Sequence, residues 1–247
     1  MPARDPTWPR PARWKPCGRH GSLDGTVKNP LVRDALLLIL VIVYVAAVLA
    51  IDTLAVHGKT WPVDWRFFQW RAYSADLFKF IAWFVVPFLV CLPRMDWGYL
   101  GVKRWRRFDL YVLAGLAAAG ALAVAVIPLF PSLRATYPSM AGYAAAAKWS
   151  YAGHNLLWIL SWLLGWEFLH RYFLLTPLVK HAPRYGWLLI PVSEGLYHLQ
   201  KPPLEAAGMV LASLAITYWA LKRRNALLPF LAHFMIEIEL VAFRLVV

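Results

Sequence analysis

Apolar residues run through this chain in blocks about the length of a membrane crossing, divided by short stretches that collect Arg, Lys, Pro and Gly. At about 20 residues per helical crossing, the blocks predict spans near Ala35–Val56, Leu77–Leu92, Leu110–Phe130, Asn155–Val179, Trp187–Leu199, Ala206–Leu221 and Leu227–Val247. The expected fold is all-α: a polytopic integral membrane protein with about seven or eight transmembrane helices in one bundle. Residues 1–30 hold Arg4, Arg10, Arg13, Lys15, Arg19 and Lys28 among several prolines, with no apolar run. They read as a polar basic tail and not as a cleavable signal peptide, so Ala35–Val56 inserts as an uncleaved anchor. Residues 31–247 then form a single helical membrane domain. The stretch Trp61–Tyr73, with its Trp and Phe residues beside Arg66 and Arg71, fits either an interfacial segment or an ordinary aromatic belt.

Composition fixes the solvent. Hydrophobic residues make up 60% of the chain, charged residues 16%, mean hydropathy is +0.51, and there are 14 Trp. A formal net charge of +13 would suit nucleic acid, but the positions of the bases exclude that partner. About seven lie in the tail with Arg33, about five in Arg94–Arg107, two at Lys180 and Arg184 and three in Lys222–Arg224, against about eight in the intervening loops. The positive-inside rule produces this alternation and places the N-terminus in the cytoplasm; with seven spans the C-terminus is on the far side. Cys17 and Cys91 are too few for a disulfide framework or a thiolate metal site, and both fall on the assigned cytoplasmic side.

The acids change the picture. Glutamate is absent from the first 166 residues, and five then appear in the apolar C-terminal third. Glu167 with Arg171, Glu194 with His198, and His233 with Glu237 are each four residues apart, hence on one helix face, inside segments that read as membrane-spanning. Counting about 1.5 Å per residue from the cytoplasmic helix ends puts Glu167 at about 18 Å, His198 at about 16 Å and His233 at about 13 Å, so the three can meet. Lys201, Pro202 and Pro203 follow His198 closely, so that helix breaks within the bilayer beside a water-filled pocket, expected to open toward the cytoplasmic half. Each residue also has a plainer reading. Glu167 and Arg171 could be a structural ion pair, and a lone His198 or His233 could satisfy a neighbouring helix. Glu205 is expected to anchor the helix after the prolines, Glu239 to be interfacial, His154 and His181 to be surface residues, and His170 to pack or hydrogen-bond. The Ala117–Ala125 run with Gly115 and Gly120 favours close helix contact. No serine-protease elbow, phosphate loop or dinucleotide fingerprint is present.

Three stretches carry a resemblance: Trp166-Glu167-Phe168-Leu169-His170-Arg171, then Tyr197-His198-Leu199-Gln200-Lys201-Pro202 with Glu205, then Pro229-Phe230-Leu231-Ala232-His233. They resemble the motifs of the CAAX-protease and bacteriocin-processing family, also called CPBP or Abi, over about Tyr99–Val247 with the motif-bearing core at about 150–247; the segment Tyr99-Leu100-Gly101-Val102 is similar too. The resemblance implies an intramembrane peptidase in a bacterial-type inner membrane, with Glu167 as the catalytic glutamate, Arg171 as the motif arginine, and His198 and His233 as the second- and third-motif histidines. The chain departs from the pattern where Trp166 replaces the first glutamate, Tyr172 a glycine, Glu194 a phenylalanine and Glu237 an Asn or Asp.

Amide hydrolysis needs a base for the attacking water, a stabiliser for the oxyanion and an acid for the leaving amine. Glu167, helped by His198, would take the proton, and His233 would face the oxyanion, with Arg171 holding the carboxylate and Glu237 beside His233. In a metal version His198, His233 and one or both of Glu194 and Glu237 ligate Zn²⁺ while Glu167 is the base. There is no His-Glu-x-x-His clamp, and both versions stand at this point. The substrate is a peptide or membrane-anchored protein presented in the bilayer. A non-catalytic peptide-binding or immunity protein, and a proton or cation transporter, are the competing functions.

Overall fold

The computed structural model describes residues 30–57, 69–70, 75–101 and 105–246. The tail with Cys17 and most of Trp61–Tyr73 lie outside the described residues. The rest is an all-α membrane bundle. Helix α1 is Pro30–His57. A two-residue antiparallel pair, β1 Gln69–Trp70 with β2 Ala75–Asp76, leads into α2, Leu77–Lys79. A π-helical stretch, Phe80–Val85, joins α2 to α3, Val86–Cys91. Then come α4, Arg107–Ala125, and α5, Pro131–Thr136. Helix α6, Ala145–Phe168, runs through a second π-helical stretch, Leu169–Leu174, into α7, Leu175–His181. The chain ends with α8, Leu189–His198, α9, Pro203–Arg223, and α10, Leu227–Val246.

Each predicted span falls on helix. Four described helical segments are long and apolar enough to cross a membrane: Val32–Leu54, Leu77–Arg94, Arg107–Leu129 and Pro203–Arg223. The predicted span Trp187–Leu199 becomes α8, only 10 residues long and too short to cross alone. It stops at His198, and α9 starts on Pro203, whose fixed φ suits a first helical turn and whose missing N–H costs nothing there. The break expected beside His198 is therefore present. Large apolar side chains such as Leu36, Leu40, Leu89, Leu122 and Leu211 are exposed around the bundle, a surface matched to acyl chains and not to water.

Contacts define two ends. At one, Lys180 pairs with Asp34, Tyr172 binds the Asp96 backbone at 2.6 Å, Arg224 reaches Asp96 at 2.7 Å and Arg223 holds Asp109 at 2.7 Å. Gly101, with φ +92°, turns the chain there because a Cβ would strike Asn225, which is fully buried and caps α10 through Leu227 N–H at 2.9 Å and Leu228 N–H at 3.1 Å. At the other end, Tyr197 donates to Asp52 at 2.6 Å, Tyr137 to Glu205 at 2.7 Å, and the Met140 N–H to the Arg244 carbonyl at 2.8 Å. The core lies toward the first end, around Trp83, Trp166, Leu169, Leu174, Leu175 and Ile190. Small residues set the spacing: a Cβ on Gly165 would lie 2.8 Å from Trp83, and one on Gly120 would lie 2.6 Å from Glu239 on α10. The second contact bears out the close approach read from the Ala-rich run, at Gly120 and not at Gly115, which faces open space.

Candidate active site

The buried charges meet where α6 passes into its π-helical stretch. Wider π turns recur at functional sites, and this one carries His170 and Arg171, both fully buried. Arg171 grips Glu194 of α8 with both terminal nitrogens, Nη2 donating to Oε2 at 3.0 Å and Nη1 facing Oε1. Its Nε is 3.4 Å from Glu167 Oε2, one helical turn back. The other Glu167 oxygen, Oε1, is 2.8 Å from His233 Nδ1 of α10. His233 Nε2 in turn lies 3.8 Å from Glu237 Oε1. One guanidinium can balance only one of its two carboxylates, so the charge on Glu167 is left to the His233 imidazole.

His198 closes the group from the end of α8. Its Nδ1 is 2.8 Å from the Glu194 carbonyl oxygen. A carbonyl only accepts, so Nδ1 donates and Nε2 of the neutral ring is a bare acceptor. His170 uses Nδ1 the same way on the Trp166 carbonyl at 3.0 Å and meets Ser193 Oγ at 3.3 Å, the hydrogen-bonding role expected for it. Trp166, standing in place of the motif's first glutamate, is a stacking platform: its ring lies 5.4 Å from Trp83, 5.0 Å from Tyr197 and 5.7 Å from His198.

A cavity of about 600 Å³ opens above this floor, walled by Trp83, Trp158, Trp162 and Trp166 and bearing His198, His233, Glu237, Lys201 and Glu205. It is polar and roomy enough for water. A second cavity of about 600 Å³, between α4, α9 and α10, shares His198, His233, Glu205 and Glu237 but is lined mainly by residues such as Leu116, Val124, Ile127 and Leu204. Glu205 anchors the wall between them, accepting from Tyr137 and pairing with Lys201 at 3.4 Å. Burial, then the Glu205 carboxylate, raises the Tyr137 phenol above its usual proton affinity and keeps it a donor.

The geometry sorts the sequence-derived residues. Glu167, His233 and Arg171 touch in series, and His198 and Glu237 line the same cavity as His233. Glu167 does not line the cavity and reaches it through His233. Glu194 does not line it either, because both its oxygens face Arg171 in the core. As a Zn²⁺ ligand set the residues do not fit. Among the described residues no group of three or more His, Cys, Asp or Glu side chains is arranged to hold a metal ion. Glu194 is spent on a guanidinium, and both His233 nitrogens face carboxylates. The wall of the cavity climbs α6 from Trp166 back to Tyr151 and α10 from His233 on to Arg244, away from the end where Lys180, Arg184 and Lys222–Arg224 lie.

One cluster escaped the sequence reading. Asp52 of α1, Asp76 and Lys79 are all buried, with Lys79 Nζ 3.5 Å from Asp52 and 3.6 Å from Asp76 and stacked over Trp83 at 5.0 Å. An aspartate inside the predicted span Ala35–Val56 was a usable signal.

The fold and the site together define a helical membrane protein with an acid–imidazole centre beside a cavity of about 600 Å³. Residues 149–238 match the family described as type II CAAX prenyl endopeptidase Rce1-like. That match, over 90 of the 247 residues, spans the three motif stretches and agrees with the resemblance read from them. The comparisons with curated proteins and with solved structures gave no match.

Proposed function

We propose that this protein is an intramembrane endopeptidase that hydrolyses a peptide bond of a membrane-associated polypeptide with water activated by a glutamate–histidine couple. The 2.8 Å contact between Glu167 and His233 at the cavity floor carries this reading. Glu167 holds the Nδ1–H of His233 and turns Nε2 to the cavity, where it takes the proton of the attacking water. His198 Nε2, bare because Nδ1 donates to the Glu194 carbonyl, accepts the second hydrogen and aims the oxygen at the substrate carbonyl. As the C–O bond forms, the imidazolium is steadied between Glu167 and Glu237; as the C–N bond breaks, its proton passes to the leaving amine. Arg171 fixes Glu167 from behind and is itself held by Glu194, a positioning role. The neighbouring apolar cavity suits the hydrophobic anchor of the substrate.

The test is cleavage of a membrane-anchored reporter polypeptide by the purified full chain in lipid. Glu167→Gln keeps the shape of the side chain and should lower cleavage by on the order of 10²–10⁴ with an unchanged melting temperature. Full activity in that variant removes Glu167 from the chemistry. A chelator in the same assay should leave the rate unchanged, whereas a loss that Zn²⁺ restores would overturn the metal-free mechanism.

A further inference from the structure

Charge and access point to opposite ends of this molecule. The connections at the end where Lys180 meets Asp34 and Arg223 meets Asp109 carry five, two and three bases, and about seven more lie in the tail and at Arg33. In the sequence, the segments between those connections share about eight. By the positive-inside rule the first end faces the cytoplasm.

The cavity is shut toward that end. Beneath the Trp166 floor, itself 1% exposed, lie His170, Arg171, Glu194, Leu169 and Leu174, none more than 2% exposed. The guanidinium–carboxylate pair and its apolar jacket leave no channel for a peptide. Toward the opposite end parts of the wall are accessible. On α6 the lining residues Trp166, Trp162, Trp158, Asn155 and Tyr151 recur at helical spacing, about 23 Å from first to last at 1.5 Å per residue. Exposure reaches 39% at Trp158 and is open at His154 and Thr136 on the rim. The rim bases Lys201 and Arg244 sit at the same end.

We propose that the site is entered from the face opposite the cytoplasm, so that the polypeptide segment it accepts is the extracytoplasmic juxtamembrane stretch of a membrane-anchored protein. The substrate side of this inference rests on the peptidase reading above; the direction of access does not. Glu167, His233 and His198 then work at the bottom of a funnel that a cytoplasmic chain end would reach only by crossing the bilayer.

Cysteine accessibility in cells expressing the full chain tests it. On a Cys17→Ser, Cys91→Ser background, Asn155→Cys on the funnel wall, Lys201→Cys at the rim and Arg184→Cys at the basic end are treated with a membrane-impermeant maleimide. The expected result is labelling of positions 155 and 201 in intact cells and of position 184 only after permeabilisation. The reverse pattern overturns the inference, and so does a position 155 that stays unlabelled from outside while 201 reacts. Two reporters with the same cleavable segment on either side of their anchor supply the second arm: cutting of the extracytoplasmic one supports the inference, and cutting of the cytoplasmic one overturns it. If neither is cut, the peptidase reading fails while the labelling still decides the direction of access.

Discussion

The bundle holds two buried clusters of opposite charges that look alike and behave differently. In one, Asp52, Asp76 and Lys79 face one another near the open end, with Tyr197 donating to Asp52 and Ser161 Oγ accepting the Asp76 N–H at 2.9 Å. In the other, Arg171 is saturated by Glu194, and Glu167 is left to share its charge with an imidazole that lines a cavity. The first cluster joins α1, the α2 turn and α8; its two carboxylates share one ammonium, and the further donors they meet are the Tyr197 phenol and the Lys79 backbone N–H. The second leaves its surplus carboxylate on a group that can take up and release a proton. Burial of charge marks both clusters and both reach the cavity, but the second ends there on an imidazole, the group on which the proposed proton transfer rests.

Perturbing the two clusters in parallel should separate these roles. The largest effect is expected for His233→Ala, which should abolish cleavage as fully as Glu167→Gln; the double variant should be no worse than either, because the two act as one unit. Additive losses in the cleavage assay would break that unit. Next comes stability at Arg171. Arg171→Met leaves Glu194 buried and unpaired and should cost about 3–5 kcal/mol, read by thermal unfolding in detergent, while Arg171→Met with Glu194→Phe should recover most of it. A double variant as unstable as the single one would mean that the pair is not what holds α8 to the α6–α7 rod. The smallest effect is expected in the other cluster: Asp52→Asn should lower stability by about 1–3 kcal/mol and leave cleavage nearly intact. A loss of cleavage comparable to that of Glu167→Gln would erase the distinction between the clusters.

Much of this was legible in the chain because helical spacing is rigid. Four-residue separations put Glu167 beside Arg171 and His233 beside Glu237, and the prolines after His198 ended α8 where the backbone had to stop. What spacing could not tell was partner choice between helices. Glu194 was read as a face-mate of His198, yet its carboxylate turns to Arg171 on another helix while its backbone carbonyl serves His198. The same blindness hid the Asp52–Lys79 pair: Asp52 inside its predicted span was a signal, but nothing in the spacing named a partner 27 residues away. Depth along each helix could be counted from the spacing, but depth says nothing about which end the packing seals.

The π-helical stretch at Leu169–Leu174 holds more residues per turn than its α-helical neighbours. Removing one residue from the stretch would let regular α-geometry return with the helices on either side near their present phase, whereas removing one from α6 or α7 would turn everything beyond the gap by about 100°. In the second case a gap at the start of α7 would leave the aromatic floor aligned with α10 while Lys180 swung away from Asp34. The register of this protein is thus stored in chain length as well as in side-chain identity, and the wide turn is where a lost residue is best absorbed.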